Sequence, residues 1–172
     1  MDAIELEKRV REMVDAWNSR DIDTYLGFLT DDVVWTDPAM PAPCEGREAV
    51  AEFSRSVLRA FPDFHYSIRG PICTSADGQH CAVPWRIVAT HTEMFEPPGY
   101  APTGRTATIE GVDLLTFTGE KASRIETLFD VLVPAEQLLS LRIRPRVGTV
   151  RGRMAVFLQR LLAAWLRAFG RA

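Results

Sequence analysis

Hydrophobic periodicity changes from helical to strand-like about one third of the way along the chain, and this order constrains the fold more than any other feature. Apolar residues recur at helical spacing in three segments before Pro62, and at every second residue in four segments between about 64 and 133. A short strand, DDVVWTDP, separates the second and third helices. No helical pattern interrupts the last three strands, at about 80–95, 105–118 and 122–133, so they should pair antiparallel. Three N-terminal helices followed by a meandering sheet predict the α+β class.

Length and composition indicate one main domain. A chain of 172 residues, 47% hydrophobic and 25% charged, can build one good core and not two. We expect a domain over residues 1–140 and a basic helical extension over 141–172. The absence of a charged-then-apolar leader and of an apolar run of about 18 residues predicts a cytoplasmic protein.

Neither a metal nor a cofactor is expected from the sequence motifs. The three cysteines are odd in number and include no C-x-x-C pair, which disfavours a disulfide framework or a zinc site. The sequence also lacks an H-E-x-x-H motif, a phosphate-binding glycine loop and a dinucleotide fingerprint.

Charge is divided unevenly along the chain. Residues 1–140 hold all 23 acidic residues and 12 of the 20 basic ones, whereas residues 141–172 hold eight arginines and no acid. Contact with phosphates depends on clustered Lys and Arg, so the acidic main domain is not expected to bind nucleic acid.

The basic extension contains a second helical pattern. Its large apolar side chains recur at i, i+3, i+4 and i+7, and four arginines lie off that row. The apolar positions are Met154, Phe157, Leu158, Leu161, Leu162, Trp165 and Phe169, and the arginines are Arg153, Arg160, Arg167 and Arg171. Three occupants of the apolar face remain open for residues 150–170: the acidic domain of the same or a neighbouring subunit, an anionic membrane, or another protein.

Strand parity predicts a pocket lined by a few polar groups. In PWRIVATH, Trp85, Ile87 and Ala89 share one face with His91, and in VVWTD, Trp35 shares a face with Asp37. A strongly curved sheet with helices on one face leaves a pocket between the layers. A few polar groups converging on an apolar pocket are typical of a ligand site.

The strand TIEGVDLLTF carries apolar residues on both faces. Ile109, Leu115 and Phe117 share one face with Asp113, and Val112 and Leu114 share the other with Glu110. Both sides of the sheet should therefore be covered, the outer one by a second subunit or by the extension.

Asp130 interrupts the apolar run LFDVLV. An ionised carboxylate in such surroundings loses several kcal/mol of hydration, roughly, unless it is paired, hydrogen-bonded or protonated. It is either a structural acid held by backbone N–H groups or an arginine, or a catalytic acid–base group in a cavity. Parity does not decide, because its same-face neighbours Arg124, Glu126 and Leu128 are mixed.

Three stretches together resemble the SnoaL-like polyketide cyclase branch of the nuclear-transport-factor-two-like superfamily, over about residues 5–140. They are GREAVAEF leading into AFPDF, WRIVATHTEMF followed by APTGR, and GEKASRIETLFD followed by EQLL. The resemblance implies a cone-shaped, curved antiparallel sheet packed on the three N-terminal helices, a deep apolar cavity, and a homodimer joined through the sheets. Glu93 and the ending QLL depart from the glycine and the QLG that are usual in the family.

The resemblance also implies an activity. Characterised cyclases of this family close a ring by intramolecular aldol condensation without metal or cofactor, using an aspartate at the position of Asp130. His91, in ATH, would assist it on an apolar, polyketide-like small molecule. The side chains implied to bind substrate are Asp37, Trp35, Tyr25, Trp85, Phe95 and Tyr100. The alternatives are a non-catalytic ligand-binding or interaction module, an isomerase, or an epoxide hydrolase.

Overall fold

The structure is a computed structural model that describes residues 1–140 and 148–169. The chain divides into two compact units, Met1–Ser140 and Leu141–Ala172. The first unit contains four helices and seven strands, which in chain order are α1 (Ala3–Asn18), α2 (Ile22–Gly27), β1 (Leu29–Thr36), β2 (Cys44–Glu45), α3 (Gly46–Ala60), β3 (His65–Ile68), β4 (Cys73–Thr74), β5 (His80–Thr90), β6 (Thr106–Thr118), β7 (Lys121–Phe129) and α4 (Leu132–Leu138). The α+β class with three N-terminal helices is confirmed.

The N-terminal helices are amphipathic and begin at capping residues. The Asp2 carboxylate accepts a hydrogen bond from the Glu5 N–H at the start of α1, and Asp21 does the same for Thr24 at the start of α2. The apolar faces of α1 and α3 are buried against the sheet, with Leu6 and Val50 fully buried. Burying these faces stabilises the helices more than their intrinsic propensities do.

The seven strands form one curved sheet in the order β2-β1-β7-β6-β5-β3, with β4 on β5. The neighbours β5, β6 and β7 pair antiparallel, as the sequence predicts. Strand β1 pairs with β7 in parallel, so the prediction of a wholly antiparallel sheet was wrong at this pair. A hairpin enforces antiparallel pairing, but about half of the chain separates β1 from β7 and leaves the direction free.

The two faces of the sheet follow the predicted parity. Odd-numbered side chains of β5 and β6, and those of β7 from Ile125 on, point toward the helices, and even-numbered ones point outward. The register shifts near the start of β7, so there Ala122 is the buried residue and Lys121 is exposed. On the outer face, Val88, Leu114 and Leu128 are exposed. That a second subunit covers this face stays a prediction.

Strands β5 and β7 end earlier than predicted. Strand β5 ends at Thr90, and β7 ends at Phe129 where the short helix α4 follows. The Asp130 carboxylate accepts a hydrogen bond from the Leu132 N–H at 2.9 Å, and its carbonyl accepts one from Val133. A local side-chain bond of this kind turns the backbone out of the strand and starts a helix.

The described part of the second unit is dominated by helix α5 (Val150–Phe169). The predicted Arg171 and the arginines at 142, 144 and 146 lie outside the described residues. Among the residues that the structure describes, none of the helices combines the length and the apolar composition needed to cross a membrane.

Candidate active site

A cavity of about 320 Å³ lies in the first unit between the inner face of the sheet and the helices. Its wall is mostly apolar and aromatic, and this volume lies in the usual range for small-molecule sites. Trp17 and Trp35 meet edge to face at one end, with ring centroids 5.8 Å apart. The cavity therefore suits an apolar small molecule.

Asp113, on β6, lies in the cavity wall and accepts hydrogen bonds from two side chains. Its carboxylate accepts a hydrogen bond from the Tyr66 hydroxyl at 2.9 Å and another from the Thr127 hydroxyl at 2.8 Å. Thr127 lies directly across from Asp113 on β7 and itself accepts a hydrogen bond from the Trp35 indole N–H at 3.0 Å. This network orients the carboxyl group in the wall of the cavity.

Burial raises the pKa of Asp113 to about 6, because desolvation disfavours the charged form. The hydrogen bonds from Thr127 and Tyr66 oppose the shift by stabilising that form. The Trp85 indole also lowers the pKa, although its N–H makes no hydrogen bond of normal geometry. Asp113 therefore changes its charge within the pH range in which most enzymes work.

Asp37 is a second carboxyl group in the same cavity. It follows the end of β1, and its carboxylate accepts a hydrogen bond from the Ala39 N–H at 2.7 Å. Burial raises the pKa of Asp37 to about 6, against the effect of that hydrogen bond, and the charge of Asp113 raises it further. Two interacting carboxyls with raised pKa values can hold one proton between them near neutral pH.

The charge of Asp113 also reaches neighbouring groups. Burial and this charge raise the pKa values of the Tyr25 and Tyr66 hydroxyls, and they raise that of the Cys81 thiol to about 12. These three groups therefore stay neutral at physiological pH. They can donate hydrogen bonds but are poor bases.

His91 lies in the cavity wall just beyond β5. Its side chain is only 2% exposed, and its ring stacks on Phe61 with centroids 5.1 Å apart. Neither ring nitrogen makes a hydrogen bond in the described structure. A buried imidazole without partners is uncommon, because an unsatisfied polar group costs about 1–3 kcal/mol.

The structure brings together seven of the eight side chains that the sequence predicted for the site. Those that line the cavity are His91, Asp37, Trp35, Tyr25, Trp85, Phe95 and Tyr100. Their roles in binding or catalysis stay predictions.

Asp130 is the predicted site residue that does not line the cavity. It is exposed, and its carboxylate is engaged at the start of α4. Ile125, Thr127 and Phe129 of β7 face the cavity, so residue 130 follows on the opposite side. The expectation that Asp130 is a cavity acid is not met in this structure, and the hydrogen-bonded structural acid describes what is observed.

Sequence reasoning left Asp113 out of the predicted site although a signal for it was present. Asp113 shares the inward face of β6 with Ile109 and Leu115, as parity indicated. The signal was ambiguous because β6 carries apolar residues on both faces, so parity alone could not identify the inner one.

Two residues before Asp113, β6 has a glycine, Gly111, because the β7 backbone and the Trp85 ring lie close to its Cα. A Cβ at this position would lie 2.4 Å from the Leu128 carbonyl oxygen and 2.4 Å from the Trp85 ring. A side chain here would displace either the backbone of β7 or the indole. Gly111 therefore lets Trp85 lie flat against β6 beside the acid.

We expect Tyr66→Phe to raise the pKa of Asp113 further, because the substitution removes a hydrogen bond that stabilises the ionised carboxylate. A hydrogen bond to a charged group contributes about 1.5–3 kcal/mol, so the pKa should rise by about one to two units. Titration of ¹³C-labelled aspartate carboxyls by NMR measures it. Tyr25→Phe is the matched control, since Tyr25 makes no described hydrogen bond to Asp113, and an equal shift in both variants would contradict the assignment.

Within residues 1–140 and 148–169, no three His, Cys, Asp or Glu side chains are grouped so that they could hold a metal ion.

The fold is shared with many solved structures. A protein from Jannaschia sp. CCS1, provisionally named a SnoaL-like polyketide cyclase, is 17% identical with a TM-score of 0.69, over 78% of this chain and 92% of that one. AclR from Streptomyces galilaeus, provisionally named a hydroxylase, is 23% identical with a TM-score of 0.68, over 81% and 99%. SalBIII, described as an epoxide hydrolase/cyclase-like enzyme in pyran ring formation, is 22% identical with a TM-score of 0.65, over 77% and 95%.

Family membership rests on the sequence as well as on the fold. Among curated proteins, none matches this sequence. Residues 10–125 match the family described as the SnoaL-like domain, which is more than half of the chain. This match shows that the chain belongs to the SnoaL-like family, and the helices and curved sheet described above agree with it.

Proposed function

We propose that this protein is a cofactor-independent acid–base enzyme that closes a ring in an apolar, polyketide-like small molecule by intramolecular aldol condensation. The observation that carries the proposal is the pair Asp37 and Asp113, two carboxyls with pKa values raised to about 6 in one apolar cavity. Pairs of titratable groups with such pKa values are frequent at sites of proton transfer. A module that only binds an apolar ligand has no use for two desolvated acids.

The hydrogen bonds suggest which carboxyl is the base. Asp113 accepts bonds from two hydroxyl groups, which stabilise its ionised form, whereas Asp37 accepts one from a backbone N–H and experiences the charge of Asp113. We assign Asp113 as the carboxylate and Asp37 as the carboxylic acid of the working state.

The reaction then needs no group besides these two. Asp113 takes a proton from a carbon next to a carbonyl, which yields an enolate. The enolate carbon attacks a second carbonyl of the same molecule; a carbon–carbon bond forms, the C=O π bond breaks, and the alkoxide takes the proton of Asp37. The proton on Asp113 returns to Asp37 through water once the product leaves, so the net reaction is an isomerisation.

His91 is a further polar group of the cavity wall, and we assign it to orient the substrate. Its ring nitrogens make no described hydrogen bond in the protein, so a substrate oxygen near Phe61 could supply a partner. This assignment agrees with the role that the family resemblance implies for the ATH motif.

Exchange of carbon-bound protons tests the proposal without the native substrate. A panel of apolar 1,3-diketones and polyketide-like esters is incubated with the enzyme in D₂O, and deuterium uptake next to the carbonyls is followed by NMR. We expect uptake above the buffer rate with the wild type and none above it with Asp113→Asn. Ligand binding without exchange across the panel would favour the non-catalytic binding module.

Epoxide hydrolysis is less well supported by the cavity. One arrangement for that reaction holds a water between a carboxylate, an asparagine and a tyrosine. Asn18 is the only asparagine of the sequence. Its side-chain amide is engaged by the backbone of Tyr66, donating to the carbonyl at 2.8 Å and accepting from the N–H at 2.9 Å. It therefore serves to join α1 to β3.

We expect Tyr100→Ala to weaken substrate binding more than it weakens the fold. Tyr100 lies on the loop between β5 and β6, lines the cavity and is 47% exposed. An aromatic contact contributes about 0.5–1.5 kcal/mol, so KM should rise roughly two- to tenfold. Steady-state kinetics and thermal unfolding measure the two effects, and a lower Tm with unchanged KM would contradict this role.

A further inference from the structure

Helix α5 is basic and rich in exposed apolar side chains, and the proposed reaction gives it no role. Between Val150 and Phe169 it contains four arginines and no acidic residue. Its large apolar side chains are exposed by 53–57%, namely Met154, Phe157, Leu158, Leu161, Leu162 and Trp165. Soluble proteins rarely expose so wide a set of large apolar side chains without a binding role.

Three of the four arginines lie on a different side of α5 from most of the large apolar residues. Arg153, Arg160 and Arg167 recur every seventh residue and therefore form one row along the helix, whereas Arg151, in the first turn, lies at an angle within the apolar half. At about 100° per residue, the apolar side chains from Phe157 round to Leu166 cover roughly half of the circumference. The arginine row borders this apolar half.

We infer that α5 lies flat on the surface of an anionic lipid bilayer, with its apolar half in the acyl boundary and its arginine row at the headgroups. The apolar half of α5 is wider than the stripe of about 100° that is the minimum for a surface helix of a globular protein. A helix with arginines on one side and Trp, Phe and Leu on the other is typical of the bilayer interface. Long arginine side chains beside that face can reach the anionic headgroups while their methylene groups stay in the apolar layer.

Flotation of the full-length protein with vesicles tests the inference. Vesicles of phosphatidylcholine are compared with vesicles containing about 30 mol% phosphatidylglycerol, in about 0.1 M salt, where the Debye length is about 10 Å. We expect the protein to bind the anionic vesicles at least about tenfold more tightly, because each basic residue near such a surface strengthens binding about fivefold.

Three variants distinguish the surfaces to which α5 could bind. Combined Arg153→Gln, Arg160→Gln and Arg167→Gln should weaken binding to anionic vesicles about 100-fold, while glutamine preserves helix propensity. Combined Phe157→Ser and Leu161→Ser should also abolish flotation, and Gln159→Ala, on the polar side, should leave it unchanged.

Equal binding to neutral and anionic vesicles, or no effect of the arginine changes, would overturn the inference. Absence of flotation together with a changed mass of the arginine variant by light scattering would show that α5 docks on an acidic protein surface instead. Because binding is measured directly, the result does not depend on the proposed activity.

Discussion

Asp113→Asn should lower kcat by about 10²–10⁴-fold, which is the contribution of a positioned acid–base group. The amide keeps the shape of the carboxyl and can still accept a hydrogen bond from Tyr66, but it cannot take a proton from carbon. The variant should also be at least as stable as the wild type at pH 8. A carboxyl whose pKa is raised to about 6 in the folded state, against 3.8, costs stability once it ionises.

The pH dependence of the free energy of unfolding distinguishes the cost of ionising buried Asp113 from a general effect of the substitution on the fold. Below about pH 4 both states of the wild type hold the Asp113 proton, and between about 4 and 6 only the folded state does, so the free energy of unfolding falls as the pH rises through this window. The stability gained by Asp113→Asn should therefore approach about 1–3 kcal/mol above pH 6 and vanish near pH 4. Denaturant unfolding at pH 4 and pH 8 measures it.

Asp130→Asn is the matched control for activity. It removes an aspartate close in sequence that does not line the cavity, and turnover should stay near the wild-type rate. Stability should fall by about 0.5–2 kcal/mol at most, because the carboxylate accepts the Leu132 N–H at the start of α4. If Asp130→Asn were inactive and Asp113→Asn active, the assignment made here from the cavity would be wrong and that implied by the family resemblance correct.

The wild-type value of kcat/KM should follow a bell-shaped pH profile centred near pH 6. Each limb should fall about tenfold per pH unit, because the working state needs one carboxylate and one carboxylic acid. Asp37→Asn removes the acid and should abolish the alkaline limb, leaving a lower activity that reaches a plateau as Asp113 ionises.

Asp32→Asn is the control for this profile, since Asp32 is exposed on the same strand, β1, and does not line the cavity. It should leave both limbs in place. A profile of Asp37→Asn that keeps its alkaline limb would show that Asp37 is not the acid, and a wild-type profile that only rises with pH would show that no protonated carboxyl is needed.

The class of the fold and the lining of the cavity could be predicted because both follow from local patterns. Period-two alternation places Trp85 and His91 on one face wherever the strand is regular, and the structure keeps that alternation through β5. The helices α1 and α3 could be predicted for the same reason, because the helical spacing of their apolar residues is visible within each segment alone.

The position of the acid could not be predicted, because it depends on where a strand stops. The sequence pattern predicts a strand that continues to about residue 133 and therefore includes Asp130. In the structure the Asp130 carboxylate accepts a hydrogen bond from the Leu132 N–H, and the alternation ends there. Asp113 had the required parity, yet its partners Tyr66 and Thr127 come from two other strands, and such a network is visible only when the strands are paired.

The parallel pairing of β1 with β7 sets an order of events during synthesis on the ribosome. Strand β1 is complete at Thr36, but β7, its neighbour on the side of the main sheet, is not complete until Phe129. Until then α1 and α3 have emerged with apolar faces that the later strands will cover. Non-local pairing of this kind is slow and leaves apolar surface exposed. The nascent chain therefore exposes this apolar surface until β7 has been made, and the cavity can close only after that point.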